Sequence, residues 1–145
     1  MRTHACAALS SVVGMKTSRD PSTLHPPLAA YSHQIEISGA ERQLVMSGQV
    51  GMTADGHVPD DPIEQLGVAL DNVERNLEAA GMELGDLVKL IVYLVGEWDN
   101  DARRGLVAAR LGTHRPCMTA VWVAALAGPS LRVELDAWAS RAGEV

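Results

Sequence analysis

The stretch DPIEQLGVALDNVERNLEAAGMELGDLVKLIVYLV, residues 61–95, decides the fold, because it sets a capped amphipathic helix directly before a buried strand. Asp61 suits the N-cap, Pro62 the first helical position, and Glu64 the carboxylate position of a capping box. Ile63, Leu66, Leu70, Val73, Leu77 and Ala80 recur at three- and four-residue spacing and so share one face. Gly81 supplies the C-terminal stop, which predicts a helix of about nineteen residues. Leu87 to Val95 is nearly all apolar and rich in β-branched residues, the pattern of a strand covered on both faces.

Downstream, Asp99 or Asn100 can cap a shorter helix running through Arg110. Cys117 to Ala125 and Leu131 to Ala139 read as two further strands joined by a turn around Gly128-Pro129. In the last, Val133, Leu135 and Ala137 face one way, and Arg132, Glu134, Asp136 and Trp138 the other. Upstream, Gln34 to Ser38 alternates polar and apolar, Gly39-Ala40 makes a turn, and Leu44 to Val50 resumes. Asp55-Gly56 is a hairpin turn signal, so this region reads as a short antiparallel meander. The order β-β-β-α-β-α-β-β is an α+β sandwich with two helices on one face of a mixed sheet. The other sheet face is left open in a single chain, which predicts association with further copies.

Residues 1–26 are rich in Ser, Thr, His and Pro, and Pro26-Pro27 stops any helix. They read as a disordered N-terminal extension, or as the result of a start assigned too early, with Met15 the true first residue. The weakly apolar run near Arg2 lacks an A-x-A cleavage pattern, which disfavours a signal peptide. The globular domain is then residues 27–141, with 142–145 a tail. One domain suits 145 residues and 15.4 kDa. With no Phe, the core must come from Val, Leu, Ile, Ala and Met.

A net charge of −6, with 12 scattered basic residues, argues against nucleic acid as a partner. No run approaches the ~20 apolar residues of a membrane span. Cys6 and Cys117 make a poor disulfide pair, consistent with a reducing, cytoplasmic setting. The five histidines (4, 25, 33, 57 and 114) lack ligand-like spacing, so no metal site is expected. Glycine-rich phosphate loops, H-E-x-x-H, C-x-x-C and G-x-S-x-G are all absent. What remains is distributed: Ser47-Gly48-Gln49 at a strand end, where a glycine lets a ligand approach the backbone, and Glu134 inside an apolar strand.

In order along the chain, Tyr31-Ser32, Met46-Ser47-Gly48-Gln49-Val50, Gln65, Leu70-Asp71-Asn72-Val73, Leu77 to Gly81, Gly85 to Lys89 and Val133 to Ala139 resemble the reactive intermediate deaminase (Rid) family, from about Pro27 to Arg141. The resemblance implies a chorismate-mutase-like homotrimer with a central barrel and ligand clefts between subunits. Its enzymes hydrolyse enamines or imines to keto acids and ammonia without a cofactor. By the same resemblance Tyr31, Ser47 and Gly48 contact the small-molecule substrate, and Glu134 activates water. One position departs from the pattern. Active deaminases carry P-A-R-S, and here Pro116-Cys117-Met118-Thr119 puts Met118 where their arginine grips the substrate carboxylate. A thioether offers no donors and no charge, at a cost of about 2–5 kcal/mol in affinity for an α-imino acid. Met118 and Ala120 remain binding candidates, as does Arg104. Arg115, three positions before Met118, is expected to point to the opposite face. Two functions follow: a deaminase with an altered, less acidic or more hydrophobic substrate, or a non-catalytic metabolite-binding trimer. An endoribonuclease role, a label some family members carry, is disfavoured by the acidic charge.

Overall fold

The computed structural model describes residues 14–39 and 41–143. The long helix α1 spans Pro62–Ala79. The Asp61 carboxylate accepts from the Glu64 amide at 2.9 Å, satisfying one of the free N–H groups at the helix start. At the other end Gly81, at φ 69°, donates to Glu78 O while Met82 donates to Leu77 O, a Schellman closure that only the left-handed residue permits. A second helix, α2, spans Asn100–Leu111 with Asp99 as its cap.

The strands are β1 (Met15–Arg19), β2 (Gln34–Ser38), β3 (Glu41–Val45), β4 (Gln49–Val50), β5 (Leu87–Leu94), β6 (Cys117–Trp122) and β7 (Val133–Ala142). The main sheet runs β3-β7-β5-β6, with β4 also on β7; β5 and β6 are parallel and the other pairs antiparallel. Two helices over a mixed sheet make the α+β class. Leu66, Leu70, Val73 and Leu77 of α1 bury against Leu90 and Val92 of β5 and Val133, Leu135 and Ala137 of β7. Each such Leu contributes about 2 kcal/mol through lost apolar exposure. No helix among the described residues is long and apolar enough to cross a membrane.

Four details differ from the sequence reading. Part of the expected extension is structured: β1 pairs with β2 over five residues, and Lys16 Nζ reaches Ser140 O at 2.5 Å and Asp86 at 3.6 Å, tying the hairpin to the main sheet. Residues 1–13, with Cys6 and His4, lie outside the described residues. The meander does not form, because β3 and β4 pair separately with β7, and Asp55-Gly56 closes a local turn between β4 and α1. The last two strands are not a hairpin, since β5 lies between them. Finally, β5 is covered on one face only within the chain: Leu90, Val92 and Leu94 are buried, whereas Lys89, Ile91 and Tyr93 are half-buried.

Candidate functional site

Strand alternation sorts the candidate residues onto two faces. Glu134 stands between Val133 and Leu135, both fully buried under the helices, so its own side chain leaves on the uncovered face. Tyr93 of β5 is its cross-strand partner, and Asp136 follows it on the same face. Gly48, in the link between β3 and β4, lies against this carboxylate. A Cβ at position 48 would sit 1.7 Å from Glu134 Oε1 and 2.6 Å from its Cδ. The sequence therefore needs glycine here for close approach, not for an unusual φ. Gly48, Tyr93, Glu134 and Asp136 line a cavity of about 400 Å³ with Val123 and Leu126 of the β6–β7 connection. No ion pair among the described residues engages Glu134. Ser47 is exposed next to this cavity, its carbonyl accepting from Gln49 Nε2 at 2.9 Å.

Gln65 holds β7 in position. It is 1% exposed, and its Nε2 donates to Pro59 O at 2.8 Å and Ser130 O at 2.9 Å. Its Oε1 accepts from the Arg132 amide at 2.8 Å, two residues before Glu134. Gly51 packs against the Gln65 backbone, where a Cβ would meet the carbonyl at 2.5 Å. The end of the strand that bears Glu134 is thus pinned to the first turn of α1.

The remaining candidates gather elsewhere. Met118 pairs with Leu90 and Ala120 with Val92, so both side chains leave on the helix-covered face, opposite to Glu134. Met118, Ala120, Tyr31 and Arg104 line a second cavity, of about 290 Å³, together with Arg103 and Val107 of α2. The Tyr31 hydroxyl accepts from the Leu28 amide at 3.1 Å. Arg104 is exposed. Arg103 is buried, its guanidinium 5.5 Å from the Trp122 ring centroid, and burial, then the Arg104 charge, lowers its pKa. Arg115 precedes β6 and donates to Gly112 O and His114 O, away from both cavities. No group of three metal-ligating side chains occurs among the described residues.

The structure therefore brings Gly48 to Glu134, with Ser47 adjacent, and brings Tyr31, Arg104, Met118 and Ala120 together, but keeps the two sets on opposite sides of one sheet. Sequence reasoning missed Tyr93, Asp136 and Arg103. Asp136 was accessible from its two-residue spacing to Glu134. Tyr93 depends on strand register, and Arg103 on a contact with a strand nineteen positions away, neither of which has a local signature.

Residues 22–141 match the family model described as Endoribonuclease L-PSP. The chain is 30% identical over 133 residues to the 2-iminobutanoate/2-iminopropanoate deaminase of Mus musculus, covering 89% of this chain and 93% of that protein. It is 32% identical over 102 residues to the protein of the same name from Escherichia coli K12, covering 68% and 79%. Among solved structures, a conserved Rid-family protein of unknown function from Yersinia pestis superposes with a TM-score of 0.77 at 29% identity, over 86% of this chain and 97% of that one.

Proposed function

The chain belongs to the endoribonuclease L-PSP family, the reactive intermediate deaminase group, and from that membership we propose that it hydrolyses a reactive imine or enamine, with Glu134 handling the water. The observation that carries this reading is the Glu134 carboxylate lodged against Gly48 in an open cavity, poised beside a space that admits a small molecule. Water attacks the C=N carbon as Glu134 accepts its proton. That proton passes to the nitrogen, and the carbinolamine collapses to a carbonyl compound with release of ammonia. An enamine enters the same path after protonation at carbon. The named relatives are imine deaminases, which supports the reaction class.

The working unit in this reading is a cytoplasmic homotrimer built from residues 27–141. Its clefts set the Glu134 and Gly48 half of one copy against the Tyr31, Met118 and Ala120 half of another. Their placement on opposite faces supports this, since one chain cannot turn both halves toward one ligand. Exposed Val45 and Val121, beside Ile91 and Tyr93 on the uncovered face, supply apolar surface for the association. The test is turnover of imines generated in situ, read as ammonia release. Glu134→Gln, which keeps shape and removes the base, is expected to lower kcat by at least about 100-fold, the usual scale of lost general-base catalysis. Turnover unchanged in this variant sinks the reading.

Met118 favours a second reading, a trimer that binds a metabolite without converting it, because the strand β6 contact to a carboxylate is gone. Saturable binding with no ammonia released above buffer separates it from the first. RNA cleavage has the net charge of −6 against it.

A further inference from the structure

The cavity beside Met118 contains a charge that the fold leaves unbalanced. Arg103 is 8% exposed, and its Nε has no hydrogen-bond partner among the described residues. Its one side-chain hydrogen bond among the described residues, to Asn100 Oδ1, is long at 3.3 Å and neutral. Among the described residues no carboxylate lines the cavity, yet two guanidinium groups do, Arg103 and Arg104. The Trp122 ring, its centroid 5.5 Å from the guanidinium carbon, offers a cation–π contact but no hydrogen-bond acceptor. A buried guanidinium without a counter-charge is costly unless something supplies one. Apart from the Tyr31 hydroxyl, which accepts from the Leu28 amide, the other walls are apolar, Val107, Ala108, Met118 and Ala120 among them.

We infer that Arg103 binds the carboxylate of the ligand, replacing from helix α2 the contact that Met118 cannot make from strand β6, so that the site takes a small carboxylic acid whose carbon chain rests on Met118 and Val107. The inference rests on the cavity being part of the substrate site proposed above. It also reverses the sequence-level expectation of a less acidic substrate: the position of the cation has changed, and the acid preference stays. Arg is suited to this because its fork is always charged and pairs with two carboxylate oxygens at once.

Binding, which needs no turnover, tests it. The probes are 2-oxobutanoate, the keto acid that hydrolysis of 2-iminobutanoate yields, and its methyl ester, measured calorimetrically on the full chain. The acid is expected to bind the native protein, and Arg103→Met to weaken it roughly 30-fold or more, the scale of a lost buried charge pair. The ester should bind the native protein about as weakly as the acid binds Arg103→Met. Arg104→Met should lose less, because Arg104 is exposed. Should Arg103→Met not fold, the Arg103 Nε–H resonance of the native protein serves instead, shifting with the acid and not with the ester. Acid and ester binding alike, an equal or larger loss at Arg104, or no binding of the acid overturns the inference. A change in oligomeric state in Arg103→Met with acid affinity retained also overturns it, since the counter-charge then belongs to another copy. An active Glu134→Gln enzyme would remove the hydrolase reading and leave this result standing.

Discussion

Replacing Gly48 by alanine adds one methyl group at the point where the backbone touches the Glu134 carboxylate. Its Cβ would lie 1.7 Å from Oε1, whereas real Cβ contacts essentially never fall under 3.0 Å, so the carboxylate must retreat by about 1.3 Å. Gly48 is not among the glycines at positive φ, so alanine fits the backbone. The half-buried Glu134 side chain has a cavity of about 400 Å³ into which it can rotate. Folding stability should therefore change by no more than about 1 kcal/mol, the ordinary range for a glycine-to-alanine exchange at a permitted conformation. Catalysis should suffer far more, because misplacing a reacting group by about 1 Å costs on the order of 100-fold, or about 2.7 kcal/mol of barrier. The assay pairs urea denaturation with initial rates of ammonia release from an imine generated in situ. An unaltered kcat in Gly48→Ala, with Glu134→Gln inactive, would refute the claim that this contact sets the position of the base. A rate loss that merely follows unfolding would refute it equally.

Gln65→Leu should cost about 2–4 kcal/mol in urea denaturation, because it strands the Arg132 amide and two carbonyls that the amide now satisfies. A loss under about 1 kcal/mol would show that β7 does not depend on this anchor. Val121→Asp places a charge on the uncovered sheet face; under the proposed trimer it should shift sedimentation toward monomer with the far-ultraviolet circular dichroism kept, and sedimentation unchanged from that of the native protein would refute this face as the interface. Asp55 should titrate below its ordinary 3.8, since the Thr53 hydroxyl, then the His57 amide, bonds the ionised form. A depressed folded-state pKa means the turn gains from this contact above the ordinary value and loses it as pH falls through the lower one. Thr53→Val should raise the midpoint seen by NMR, and an unmoved midpoint would exclude the hydroxyl as the cause.

The helix from Pro62 to Ala79 was legible residue by residue, because caps, apolar spacing and a stop glycine act within a few positions of one another. The same is true of α2 and of the alternation in β7 that sends Glu134 away from the core. Which strands pair was not: β3, β4 and β5 all meet β7, and β6 joins β5 in parallel, through contacts between residues far apart in the chain. Alternation says that neighbours face opposite ways, yet only the pairing of Met118 with Leu90 and of Glu134 with Tyr93 says which side each takes. The Gly48 approach to Glu134 and the burial of Arg103 belong to the same class. Local interactions decide elements because they act along the chain; the grouping of the candidates depends on packing across it, and there the tertiary structure alone divided one list into two sets on opposite faces of the sheet.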